Sequence, residues 1–233
     1  AVATSTGWLS CETKRMRSTN VIRRSLVRVG AVGALACLSA CVRFEDGRAA
    51  YGRGDYAVAL KHWQVLSEFG DAAARNHLGV MFDQGRGVAE NDVEAVRYFR
   101  LAADAGYAPA YNNLGLMYQK GAGVLQDHRQ AVEWFQKAVA AGHLDAMNNL
   151  AVMFDHGEGA PENDVEAVRL FKMAAERGSL QAQNNLGLMY SRGAGVPQSD
   201  VEAARWFRRA AEGGHAEAQS NYGAMLDNGR GVT

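Results

Sequence analysis

The sequence predicts an all-α protein, a right-handed α-solenoid built from 36-residue helix-turn-helix repeats. Three observations lead there. The pairs Leu78-Gly79, Leu114-Gly115, Leu150-Ala151, Leu186-Gly187 and Tyr222-Gly223 recur every 36 residues. Double-glycine turns keep the same step, at Gly85/Gly87, Gly121/Gly123, Gly157/Gly159, Gly193/Gly195 and Gly229/Gly231. A column of alanines (Ala95, Ala131, Ala167, Ala203) and one of phenylalanines (Phe99, Phe135, Phe171, Phe207) keep it too. A fixed period of this length marks an array in which each unit is one supersecondary element, buried only by stacking on its neighbours. The 233 residues are 48% hydrophobic and 21% charged, which is globular composition and excludes wholesale disorder.

The chain opens on an expected targeting segment, residues 1–40. Six basic residues lie there (Lys14, Arg15, Arg17, Arg23, Arg24, Arg28) against one acid, Glu12, and Val29–Ala40 is uncharged. A basic stretch, a short apolar run and a small-residue end make a secretory signal peptide. Twelve residues are too few to cross a bilayer core of about 30 Å. Residues 1–15 are read as extra sequence upstream, because Met16 would give a more usual start. Leu38-Ser39-Ala40-Cys41 resembles a bacterial lipobox, which implies acylation of Cys41 and a membrane anchor. Val42 rather than Asp after that cysteine favours, by the same resemblance, the periplasmic side of the outer membrane. Residues 41–53 are expected to be a lipid-anchored tether. Cys11 and Cys37 fall in the segment to be removed, so the body has no disulfide and no thiol nucleophile.

Residues 54–70 match the second half of a unit, with Ala59 and Trp63 in the Ala and Phe columns. Residues 71–233 hold four full repeats and a truncated fifth. In each, a first helix such as Ala108–Lys120 places Ala110, Leu114, Met117 and Tyr118 on one apolar stripe. The glycine turn ends it, because glycine supplies the left-handed conformation of a helix C-cap. A second helix such as Asp92–Ala105 opens on Asp92 as N-cap and turns Val96, Phe99 and Ala103 inward. Gly115 is expected where the two helices approach closely, and Ala131 and Ala138 where they meet neighbours. The last unit stops at Thr233 without its second helix, as expected of a piece of a longer array.

These residues resemble the Sel-1-like repeat, a relative of the tetratricopeptide repeat set apart by its double-glycine turn. The resemblance covers about residues 54–233, with Ala151, Ala160 and Tyr222 as small departures. It implies a non-enzymatic scaffold that holds a protein or peptide partner on a concave face lined by the first helices. Two adjacent polar columns lie on those helices: Asn76, Asn112, Asn148, Asn184 and Ser220, beside His77, Asn113, Asn149, Asn185 and Asn221. A ladder of carboxamides, each able to donate and accept, could pair with the backbone of an extended peptide. The first column is favoured for the ligand. The second is balanced between the ligand and a bond to the neighbouring helix. A variable column, with Lys120, His156 and Arg192 among its members, could set specificity.

Other functions find little support in the residues. Beyond Ala40 the chain carries nineteen basic and twenty-four acidic residues, a net of −5, where a nucleic-acid binder needs a basic face. The six histidines have no metal-ligand spacing, so no metal and no cofactor is expected. Acids such as Asp92 and Glu94 sit at helix starts, where the helix dipole explains them. No Gly-x-Ser-x-Gly or phosphate-loop pattern occurs. Cysteine-rich relatives described as β-lactam-binding or hydrolysing supply the alternative, a β-lactamase-like or cell-wall-acting hydrolase. Those relatives tie each repeat with a cysteine pair, which this chain lacks.

Overall fold

In a computed structural model of the chain, the described residues are 43–232. The expected signal segment, residues 1–40, and Cys41 lie outside them. Among the described residues eleven helices follow one another: α1 Phe44–Gly52, α2 Tyr56–Glu68, α3 Ala72–Asp83, α4 Asp92–Asp104, α5 Ala108–Lys120, α6 His128–Ala140, α7 Leu144–His156, α8 Asp164–Glu176, α9 Leu180–Arg192, α10 Asp200–Glu212 and α11 Ala216–Asp227. Each packs on the next, so the array is an α-solenoid with contacts local in sequence.

The first helices α3, α5, α7, α9 and α11 alternate with the second helices α4, α6, α8 and α10. Leu78, Leu114 and Leu186 are fully buried, as are the ring of Phe135 and the alanines Ala131 and Ala138. Gly115 is the contact point expected of it. A Cβ built there would lie 2.5 Å from Phe135 Cε1, and the same relation joins Gly79 to Phe99 and Gly187 to Phe207. Second helices are capped one residue earlier than expected. Asn91, not Asp92, is the N-cap of α4, and its side chain accepts from the Glu94 amide at 3.1 Å. Asp127, Asn163 and Ser199 do the same for α6, α8 and α10. Asp92 instead stands in the first turn, where a negative charge still meets the positive end of the dipole.

The glycine turn does two jobs. Gly121 at φ 73° takes the left-handed C-cap of α5, and its amide donates to Met117 O at 2.9 Å. Gly123 serves the next contact, because a Cβ there would fall onto the backbone carbonyl of Asp92 at the start of α4. Gly159, Gly195 and Gly231 press in the same way on His128, Asp164 and Asp200. Each turn is thus seated on the second helix of the unit before it.

The stretch expected as a tether is different. Residues 44–52 are α1, which with α2 forms one further, shortened repeat. Gly47 faces Trp63 as Gly79 faces Phe99, with a built Cβ 2.5 Å from Trp63 Nε1. The turn closes with Asp55 N donating to Ala50 O at 2.9 Å, the counterpart of Asn91 N to Phe82 O at 2.9 Å. Four residues of the glycine turn are missing between those bonded positions, which breaks the 36-residue register and hides the unit in the sequence. α1 covers Trp63, which is fully buried.

Candidate functional site

The row of first helices carries the polar columns, and neighbouring helices join through them. Asn113 Nδ2 donates to Asn76 Oδ1 at 2.9 Å, Asn149 to Asn112 at 3.0 Å, Asn185 to Asn148 at 2.9 Å and Asn221 to Asn184 at 2.9 Å. The first column therefore does not have the ligand role favoured for it. Asn76, Asn112, Asn148 and Asn184 are buried, at 5%, 6%, 9% and 0% exposure. A carboxamide oxygen enclosed between helices needs a donor, and the next repeat supplies it. These four residues hold the stack together.

The second column keeps spare capacity. Asn113, Asn149 and Asn185 are half-buried, and each spends one N–H on the ladder. The other N–H and the carbonyl oxygen of Asn113 and Asn149 take no protein partner among the described residues, and the carbonyl oxygens are not enclosed. Asn185 Oδ1 accepts a longer bond from Gln181 Nε2 at 3.4 Å. Bonding to the neighbour and presenting an amide are therefore compatible in one side chain. His77 ends the column at the short repeat. Its ring stacks on Trp63 with centroids 4.5 Å apart and lies 5.2 Å from that of Phe44. Burial pushes the His77 pKa below its ordinary value, Arg48 pushes it further, and Asp71 opposes both.

The variable column is exposed at Lys120, His156 and Arg192. Lys120 and Arg192 each face an acid that the sequence reasoning missed, one residue before them in the preceding repeat, Asp83 and Asp155, whereas the equivalent place before His156 is Gln119. Arg192 Nη2 bonds both carboxylate oxygens of Asp155, at 2.5 and 2.6 Å, and Asp155 is only 11% exposed against 50% for Arg192. His156 Nε2 lies 3.7 Å from Asp155. Burial raises the Asp83 carboxyl above its ordinary value, Lys120 pulls it down, and Asp92 adds to the rise. The separation of 37 residues, shared with the Asn bonds, was the signal available.

Between the Asn column and the cations runs a half-buried apolar column, Val80, Leu116, Val152 and Leu188, also missed. The three columns line a groove where α7 and α9 adjoin. Between α7 and α9 it has a volume of about 440 Å³ and is lined by Asn149, Val152, Asp155, His156, Asn185, Leu188 and Arg192, with Asn148, Phe171 and Gln181 at its floor and edge. His143 and His215 are N-caps, accepting at Nδ1 from the Ala146 and Ala218 amides at 3.4 and 3.2 Å. Among the described residues no group of three or more metal-ligating side chains comes together, and no helix is long and apolar enough to cross a membrane.

Comparison with known proteins agrees with this architecture. The profile described as "Sel1 repeat" matches residues 72–107, 108–143, 144–179, 180–215 and 216–233. A Sel1 repeat protein from Oxalobacter formigenes superposes with a TM-score of 0.77 at 34% identity, covering 82% of this chain and 78% of its own. The protective antigen c5321 of uropathogenic Escherichia coli, which displays an SLR fold, gives 0.70 at 38% identity over 74% of this chain. This chain spans 37% of that protein. A sel1 repeat protein from Klebsiella pneumoniae shares the fold at a TM-score of 0.54 and 20% identity, covering 77% of this chain and 89% of its own. No curated protein matches the chain. With its 36-residue step, its paired glycines and profile matches over most of its length, the chain belongs to the Sel1 repeat family, whose members serve as protein-interaction scaffolds.

Proposed function

We propose that this protein is a non-enzymatic adaptor that holds an extended peptide segment of a partner along the row of first helices. One observation carries this. Asn113 and Asn149 each keep an unspent N–H and an unenclosed carbonyl oxygen after satisfying the stack, with half-buried Leu116 and Val152 three residues on along the same helices. A backbone amide in extended conformation offers the complementary pair. The membrane attachment belongs to the same proposal: Cys41 carries lipid, on the periplasmic side of the bacterial envelope and by preference at the outer membrane. Only Val42 and Arg43 separate it in sequence from α1, so the array follows its anchor directly.

The test is site-specific photocrosslinking in cells. A photoreactive residue at Val152, in the groove, should trap a partner, and one at Val165, 69% exposed at the start of α8, should not. Equal trapping at both positions, or trapping at Val165 alone, overturns the groove. Cys41→Ser should move the protein from the membrane fraction to the soluble envelope fraction, and an unchanged distribution overturns the anchor.

A further inference from the structure

Asn113, Asn149 and Asn185 stand at the same place in successive repeats, and each donates one N–H to the repeat before it. Their carbonyl oxygens differ. Those of Asn113 and Asn149 are unenclosed and take no protein partner among the described residues. That of Asn185 accepts from Gln181 Nε2 at 3.4 Å. The difference lies one helical turn earlier, where the three repeats hold Pro109, Asp145 and Gln181. Proline has no side-chain donor and an ionised carboxylate only accepts, so neither closes the oxygen four residues on. Gln181 carries an amide that does.

Gln181 is exposed and lines the groove between α7 and α9, and His215 holds its amide in one orientation. The Ala218 amide donates to His215 Nδ1 at 3.2 Å, so that nitrogen carries no proton and Nε2 does. Nε2 donates to Gln181 Oε1 at 2.9 Å, which leaves the Gln181 NH2 group to face Asn185. The pair is confined to this repeat: the same places hold Ser179 with Asp145, and His143 with Pro109. We infer that Gln181, positioned by His215, ends the run of partner hydrogen bonds: backbone N–H groups of the bound segment pair with the Asn113 and Asn149 oxygens and not with Asn185. The segment therefore needs a free N–H at each of those two places, while at Asn185 a residue without one, such as proline, is accepted. This rests on the peptide-groove reading above and names the residues that set the length of the run.

NMR of the side-chain carbonyl carbons in the full chain tests it. The probes are N-methylacetamide, a single peptide group, and N,N-dimethylacetamide, which has no N–H to donate. N-methylacetamide, and not the dimethyl probe, should shift the Asn113 and Asn149 signals, with the Asn185 signal staying in place. In Gln181→Ala the Asn185 signal should shift as far as the other two. His215→Asn keeps a side-chain acceptor for the first turn of α11 and gives up the ring that reaches Gln181, so it should free Asn185 as well. A helix merely loosened by either change would not make Asn185 tell one probe from the other. Asn185 responding like its neighbours in the unaltered protein overturns the stop. An Asn185 signal still silent in Gln181→Ala overturns the role of Gln181, and silence in His215→Asn alone overturns that of His215. If no signal tells the two probes apart, the peptide-groove reading itself fails.

Discussion

Two glycine columns look alike as letters and differ in what surrounds them. Gly115 is helical and faces the edge of the Phe135 ring, a group that can move. Replacing Gly with Ala within a helix gains up to about 1 kcal/mol of propensity, which offsets the displacement of the ring. Ala151 occupies the same column and is fully buried, so the interface has a version that holds a methyl group. Gly115→Ala should therefore change stability by less than about 1 kcal/mol, and Gly115→Leu should cost about 1–3 kcal/mol by overpacking. Gly123 stands at φ 66° with the Asp92 carbonyl where its Cβ would be, and backbone cannot rotate aside as a ring can. Gly123→Ala should cost about 2–4 kcal/mol, from left-handed strain plus the forced separation of two units. Urea denaturation of the three variants checks the order. A Gly123→Ala protein as stable as Gly115→Ala would remove the inter-repeat role of the second glycine. The Asn ladder obeys similar logic. Asn113→Ala orphans the buried Asn76 oxygen, so it should cost about 1–3 kcal/mol whatever it does to a ligand.

At the scale of elements, α1 is the part that sequence reasoning could not see. A 36-residue search needs an unbroken register, and the short turn between Ala50 and Asp55 removes four residues from it. Gly47 and Trp63 are then 16 apart where Gly79 and Phe99 are 20 apart, although the packing is the same. The helices themselves were legible almost to the residue, because glycine turns and apolar stripes act locally. The Asn bonds were half legible: the columns were visible, but which oxygen faced which amide depended on the spacing of neighbouring helices. α1 also gives the array a pH response. His77 lies between Phe44 and Trp63 with its pKa below 6.5, so the folded state favours the neutral ring. The stabilisation is full above the unfolded value of about 6.5 and is lost as pH falls from there through the lower folded pKa. His143, shifted the same way first by burial, adds to that loss. The melting temperature should drop between pH 7.5 and 5, and His77→Phe should remove part of the drop. An unaltered pH profile in that variant would mean that α1 does not depend on the neutral ring.

At the scale of the whole molecule, every helix packs on its neighbours in sequence and every ladder bond spans 37 residues. An array of this kind has stability close to a sum of unit terms and nearest-neighbour terms. It should therefore survive the loss of an internal unit, which a protein with one shared core would not. Deleting residues 108–143 joins Tyr107 to Leu144 and removes α5 and α6 as a set. Asn149 is then brought opposite Asn76, which replaces the bond from Asn113 with an identical one. Gly159 would settle on the Asp92 carbonyl that Gly123 now covers, and the second-helix cap at Asn91 is untouched. Both seams carry matching residues, so no buried amide is orphaned by the deletion. The shortened chain should fold with an undiminished helical signal per residue. Its urea m-value should fall by roughly a fifth, in line with the surface no longer exposed on unfolding. A deletion beginning mid-helix, over residues 114–149, keeps the same length but fuses the start of α5 to the end of α7. Because the period is preserved it joins like to like, and it too should fold. Removing residues 108–125 leaves half a unit, sets the second helix α4 against the second helix α6, and should not give a cooperative transition. If all three deletions unfold alike, the array is not additive, and the local account of its stability fails.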